Sequence, residues 1–138
     1  MSAIPISSNG LFRVSIVFAL ILGIQCTKNT LEPKLDPQII NQSDLFEFKI
    51  VDIRSIDQQL VYQWQNNAIT ANIFNGSVIT EGSGTMKIMD FGGTEVFSEN
   101  LAAGGDFFSS SGESGKWMIE LNLTKVSGTV HVRVERRF

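Results

Sequence analysis

From Asp44 to the C-terminus, apolar residues recur at every second position. Phe46, Phe48 and Ile50 alternate with Glu47, Lys49 and Val51, and Leu60, Tyr62 and Trp64 alternate with Val61, Gln63 and Gln65. Ile69, Ala71 and Ile73 alternate with Thr70 and Asn72, and Met86 and Ile88 with Thr85 and Lys87. Trp117, Ile119, Leu121 and Leu123 are followed by Val130, Val132 and Val134 in the same rhythm. A period of two places successive side chains on opposite faces of an extended chain, so each run predicts a strand with one buried and one wetter face. Val96 and Phe97 extend the prediction to the stretch from Val96 to Ala103. Asn75-Gly76 predicts a tight turn between Ile73 and Val78. Gly82-Ser83-Gly84, Gly92-Gly93, Gly104-Gly105 and Ser127-Gly128 mark further turns. About seven or eight short strands at this spacing predict an all-β fold, an antiparallel β-sandwich or small barrel. No segment carries the stripe of an amphipathic helix.

The N-terminal segment has no such rhythm. Arg13 is the only charged side chain before Lys28, and it precedes a largely apolar run from Val14 to Ile24 that only Ser15 interrupts with a polar side chain. That run has the length of a signal-peptide core, about 7–15 residues, and falls short of the roughly 20 needed to span a bilayer. Residues 1–25 are therefore expected to be a signal peptide. Pro33 and Pro37, set among polar residues, predict an extended tether over 26–43 and a sandwich domain over 44–138. A net charge of −3, spread without long runs of one sign, excludes a nucleic-acid surface. The single cysteine, Cys26, excludes an intramolecular disulfide and a cysteine-based zinc site.

The sequence from Leu20 to Cys26 resembles a bacterial lipobox, with Gly23 and Gln25 where that pattern prefers Leu and a small residue. The resemblance implies that Cys26 is lipidated, becomes the mature N-terminus and attaches the protein to a membrane of the cell envelope; simple secretion is the alternative. In the C-terminal half, Ile88 to Phe97 reads as strand, turn and strand, and leads to Gly115-Lys116-Trp117-Met118-Ile119 and then Ser127-Gly128-Thr129-Val130. This order resembles the bacterial pre-peptidase C-terminal domains and related jelly-roll accessory modules. The resemblance implies a jelly-roll-like antiparallel β-sandwich and a non-catalytic accessory role.

Candidate chemistry is sparse. His131 is the only histidine, and its alternation with Val130 and Val132 places it on the outward face of the last strand. No Gly-x-Ser-x-Gly elbow accompanies it. Asp90-Phe91-Gly92 matches the metal-binding tripeptide of protein kinases, but the other kinase motifs are missing, so Asp90 reads as a turn residue. Loop oxygens near Asp90 and Asp106 are weak calcium candidates, and no other cofactor is implied. The aromatics carry the ligand-binding expectation: Trp64, Trp117 and Tyr62 as a platform for sugar rings, and Phe107 and Phe108 as a loop contact. Each tryptophan is nevertheless in phase with aliphatic neighbours, which is the core phase. These features predict an exported, lipid-anchored sandwich with a non-catalytic binding or structural role, contacting an envelope protein or a glycan. The alternatives are a carbohydrate-binding module using exposed aromatics and, behind it, a small secreted hydrolase.

Overall fold

Seven strands make up the fold of the described residues. A computed structural model describes residues 35–138, and within it Asp36–Phe138 form one unit. The strands are β1 (Gln38–Gln42), β2 (Leu45–Asn66), β3 (Thr70–Asn75), β4 (Val78–Met89), β5 (Glu95–Asn100), β6 (Gly105–Phe108) and β7 (Gly115–Arg137), with one 3-10 turn at Leu101–Ala103. All pairings are antiparallel. The leader over 1–25 and the lipidation site Cys26 lie outside the described residues. Gln38–Gln42, expected to belong to the tether, instead pairs with β2 as an edge strand. Ser43 and Asp44 close that hairpin, with Asp44 at φ 69°.

The two long strands β2 and β7 organise everything else. They pair from Leu45 opposite Glu135 to Asn66 opposite Gly115, and each fuses two of the runs read above as separate strands. Both bend midway. Register shifts fall between Ile50 and Gln58, where Asp52 and Ser55 take positive φ, and Lys125 and Gly128 do the same in β7. The bend folds the single hydrogen-bonded sheet into two facing layers. One contains β1, the start of β2, the end of β7, β3 and β6; the other contains the remainder of β2 and β7 with β4 and β5. Phe46 and Tyr62, sixteen positions apart on one strand, touch at 5.4 Å between ring centroids because the layers face each other. The fold is thus a jelly-roll-like antiparallel β-sandwich.

The same bend corrects three expected turns. Asn75-Gly76 is not a hairpin: Asn75 pairs with Val132 and Val78 with Thr129, so β3 and β4 run collinearly along one edge of β7. Asn75 is buried, donates to the Leu101 carbonyl at 2.9 Å and accepts from the Ser77 N–H, which diverts the backbone without reversing it. Gly82 (φ +76°) and Gly128 (φ +123°) lie within β4 and β7 as irregularities rather than between strands. Glycine there supplies a backbone conformation that L side chains avoid.

The core follows the period-two pattern. Phe46, Phe48, Ala71 and Ile73 line one layer with Val130, Val132 and Val134; Trp64, Met86, Ile88, Trp117, Ile119 and Leu121 line the other. Ile69 is the exception in its run and is exposed, because it lies in the connection before β3. The stretch from Val96 to Ala103 is a strand up to Asn100 and then the 3-10 turn, which begins where the Asn100 side chain accepts from the Ala102 N–H.

Candidate functional site

Trp64 and Trp117 do not form a surface platform. Their indoles are 1% and 0% exposed and meet edge to face at 6.0 Å in the middle of the core. Each N–H has an internal acceptor, the Gln42 carbonyl for Trp64 at 3.1 Å and the Glu113 carbonyl for Trp117 at 2.7 Å. Both were in the aliphatic phase of their strands, and burial follows from that phase. Tyr62 is half-buried against Phe46 and Phe48, and burial raises its phenol pKa above the ordinary value. Phe107 turns inward onto Phe97 at 5.6 Å. Phe108, on the opposite face of β6, is 62% exposed.

Asp90 organises its loop. One carboxylate oxygen accepts the Thr94 N–H at 2.8 Å and the other the Glu113 N–H at 2.9 Å. This ties the β4–β5 turn to the segment before β7. Among the described residues no three His, Cys, Asp or Glu side chains converge as a metal site. The N–H groups of Glu113 and then Thr94 hold the Asp90 carboxyl below its ordinary 3.8, against a smaller opposing effect of desolvation. A depressed folded-state pKa stabilises the fold above the unfolded value and loses that contribution as pH falls through the folded one. Asp90→Asn is therefore expected to be less stable than the wild type near neutrality. The gap between their urea midpoints should narrow below about pH 4; a gap constant down to about pH 2 would contradict the assignment.

The side chains that do converge lie on the outward face of β2, β7, β3 and β6. Register builds this face row by row. Glu47 is opposite Arg133, Arg133 opposite Phe74, and Phe74 opposite Asp106; in the next row Glu135 is opposite Asn72, and Asn72 opposite Phe108. Alternation sends all of these outward while Val132, Val134, Ala71 and Ile73 point into the core. Between them lies a groove of about 390 Å³ lined by Asn72, Phe74, Asp106, Phe108, Arg133 and Glu135. That volume is within the range of about 300–1,000 Å³ usual for small-ligand sites. A shallower hollow of about 330 Å³ continues it over Glu47 and His131.

Each wall of the groove is fixed by a neighbour. Arg137 lies over the Phe108 ring with its guanidinium carbon 4.0 Å from the centroid, a cation–π contact on one face of the ring. Arg133 is paired with Glu135 two positions along β7. Phe74, 39% exposed, meets the His131 ring edge to face at 5.4 Å, and His131 Nε2 is 2.7 Å from Glu47 Oε1. Asn72 Oδ1 is buried with no hydrogen-bond partner among the described residues. The arrangement offers two aromatic rings and several planar polar groups, but no nucleophile and base in contact. The Ser77 hydroxyl is engaged by the His131 backbone, and the His131 ring by Glu47.

Of the residues expected from the sequence, Asp106, Phe107 and Phe108 line this groove. Asn72, Phe74, Arg133 and Glu135 were missed. The available signal was Phe74, a large aromatic in the polar phase of a run whose apolar phase is Ala71 and Ile73. Which strand it neighbours is decided by a long-range pairing that periodicity does not reveal.

No family model and no curated protein matches the chain, so the resemblance to pre-peptidase C-terminal domains has no matching family model behind it. Several solved structures are similar to it. One is procruciferin, the 11S globulin of Brassica napus, at 18% identity and a TM-score of 0.41, with 75% of this chain spanning 26% of that one. Another is the carbohydrate-binding module CBM6cm-2 of Cellvibrio mixtus lichenase 5A in complex with cellotriose, at 13% identity and a TM-score of 0.41, covering 75% of this chain and 88% of that one. A third is PliG of Aeromonas hydrophila, a periplasmic inhibitor of g-type lysozyme, at 12% identity and a TM-score of 0.41, covering 70% and 88%. Among the described residues no helix is long and apolar enough to cross a membrane.

Proposed function

We propose that the chain is a non-catalytic carbohydrate-binding domain whose site is the groove on the outward face of β7, β3 and β6. The observation that supports this reading is Phe108, 62% exposed, in contact with Arg137 and directly beside the polar groups of Asn72 and Asp106. A sugar ring presents an apolar C–H face and a rim of hydroxyls. An exposed aromatic ring bordered by hydrogen-bonding side chains complements both at once. Export, and attachment to the cell envelope through a lipidated Cys26, belong to the same proposal and rest on the residues from Leu20 to Cys26.

Phe108→Ala is the direct test. Because the ring is largely exposed, the substitution should leave stability within about 0.5 kcal/mol of the wild type. It should weaken binding of the best glycan from an array screen by about tenfold or more in a calorimetric titration. An unchanged Kd would remove the groove from the site.

A further inference from the structure

We infer that the chain pairs with a second copy of itself through the outer edge of β1, antiparallel and about a two-fold axis at Ile40. This surface is separate from the groove, and the inference does not depend on the carbohydrate reading. Among the described residues β1, β5 and β6 each end the sheet with one side unpaired. An open edge presents backbone N–H and C=O groups to other chains, and charged side chains or a short length are the usual protection. β5 carries Glu95 and Glu99, and β6 is four residues long and carries Asp106. The later half of β2 pairs only with β7, but its Gln63 and Gln65 carbonyls are already occupied, by the Asn41 side chain and the Asp44 N–H. β1 has no such protection. Its five residues, Gln38-Ile39-Ile40-Asn41-Gln42, include no charge and no proline, and they pair with β2 without a bulge. All five are exposed, Ile39 at 41% and Ile40 at 42%.

The order of residues in β1 selects a second copy as the occupant. Antiparallel pairing centred on Ile40 sets Gln38 against Gln42 of the second copy, Ile39 against Asn41, and Ile40 against its own counterpart. Two amides that both donate and accept meet at each end, two exposed isoleucines cover each other at the centre, and no charge is buried. The interface is therefore complementary to itself, as a two-fold contact requires. Side chains paired across strands share a face, so the axis stands perpendicular to the sheet and the grooves of both copies open on the same side.

Disulfide trapping tests the register. In the full chain carrying Cys26→Ser, held in non-ionic detergent, Ile40→Cys and Gln38→Cys are compared under mild oxidation. Across the axis the two copies of position 40 have Cα atoms about 4.5–5.5 Å apart, within reach of a disulfide. The two copies of position 38 lie about 13 Å apart along the strands, out of reach. Ile40→Cys is expected to form a covalent dimer and Gln38→Cys, equally exposed, to remain uncrosslinked. Equal crosslinking of the two, or none at position 40, would overturn the inference. Sedimentation equilibrium over the micromolar to millimolar range supplies the second measurement, on the chain with native Ile40 and on Ile40→Lys. Two lysine side chains would face each other across the axis, which should raise the dimer dissociation constant by about tenfold or more. The substitution is at an exposed position opposite Glu47, so the fold is expected to survive it, and an unchanged urea midpoint checks this. A chain that is monomeric throughout the range, or a dimer indifferent to Ile40→Lys, would overturn the pairing.

Discussion

Trp117→Ala is expected to lower the folding free energy by about 3–5 kcal/mol. Total stabilities of small domains are about 5–15 kcal/mol, so the variant should approach the point of unfolding at ordinary temperature. The indole is completely buried, packs edge to face on Trp64, and donates its N–H to the Glu113 carbonyl. Truncation therefore opens a cavity in the layer built by β2 and β7 and leaves a backbone acceptor without its donor. A urea titration with an unchanged slope and a sharply lower midpoint is the expected result. A near-wild-type midpoint would mean that the indole lies at the surface, where a sugar could reach it.

Gly128→Ala should be strongly destabilising. Gly128 sits at φ +123°, and a Cβ there would lie 2.1 Å from the Val78 carbonyl oxygen. The neighbour is backbone at the β4–β7 bend, so no side-chain rotation relieves the contact. Strained φ alone costs about 1–3 kcal/mol, and displacing a paired strand adds to it, so a loss of about 3 kcal/mol or more is expected. Gly93→Ala is the control. It also has positive φ, +85°, but nothing lies within 4 Å of the added carbon, so it should cost clearly less. Equal midpoints for the two variants would show that the bend is not packed as described.

These glycines also explain why the sequence revealed the layers better than the connections. Period-two alternation identifies the inward residues because burial depends only on which face a side chain occupies, and Phe46, Ala71, Met86, Ile119 and Val132 were all legible on that basis. Alternation does not reveal whether a glycine ends a strand or bends it. Ser127-Gly128 and Gly82-Ser83-Gly84 carry turn chemistry yet lie inside β7 and β4, because the bend of a long hairpin demands the same positive φ as a tight turn. Asn75-Gly76 misleads for a related reason: its Asn side chain satisfies a buried carbonyl of the 3-10 turn instead of shaping a hairpin.

The groove was less legible still. Phe108 stands out as one of two adjacent aromatics in a Gly- and Ser-rich stretch, but its neighbours Asn72 and Arg133 come from strands far away in sequence. The tryptophans drew the ligand-binding expectation because of their type, whereas position in the alternation decided their place. Phe74 shows the rule from the other side, as an aromatic in the polar phase that is exposed where the tryptophans are buried.

The central claim is that ligand binds on the outward face of β7, β3 and β6. Backbone amide chemical shifts recorded while titrating the protein with its best array glycan test it most directly. Perturbations should concentrate at Asn72, Phe74, Asp106, Phe108 and Arg133, saturate together, and vanish in Phe108→Ala. Perturbations centred instead on the outward face of β4 and β5, or persisting unchanged in Phe108→Ala, would contradict the account.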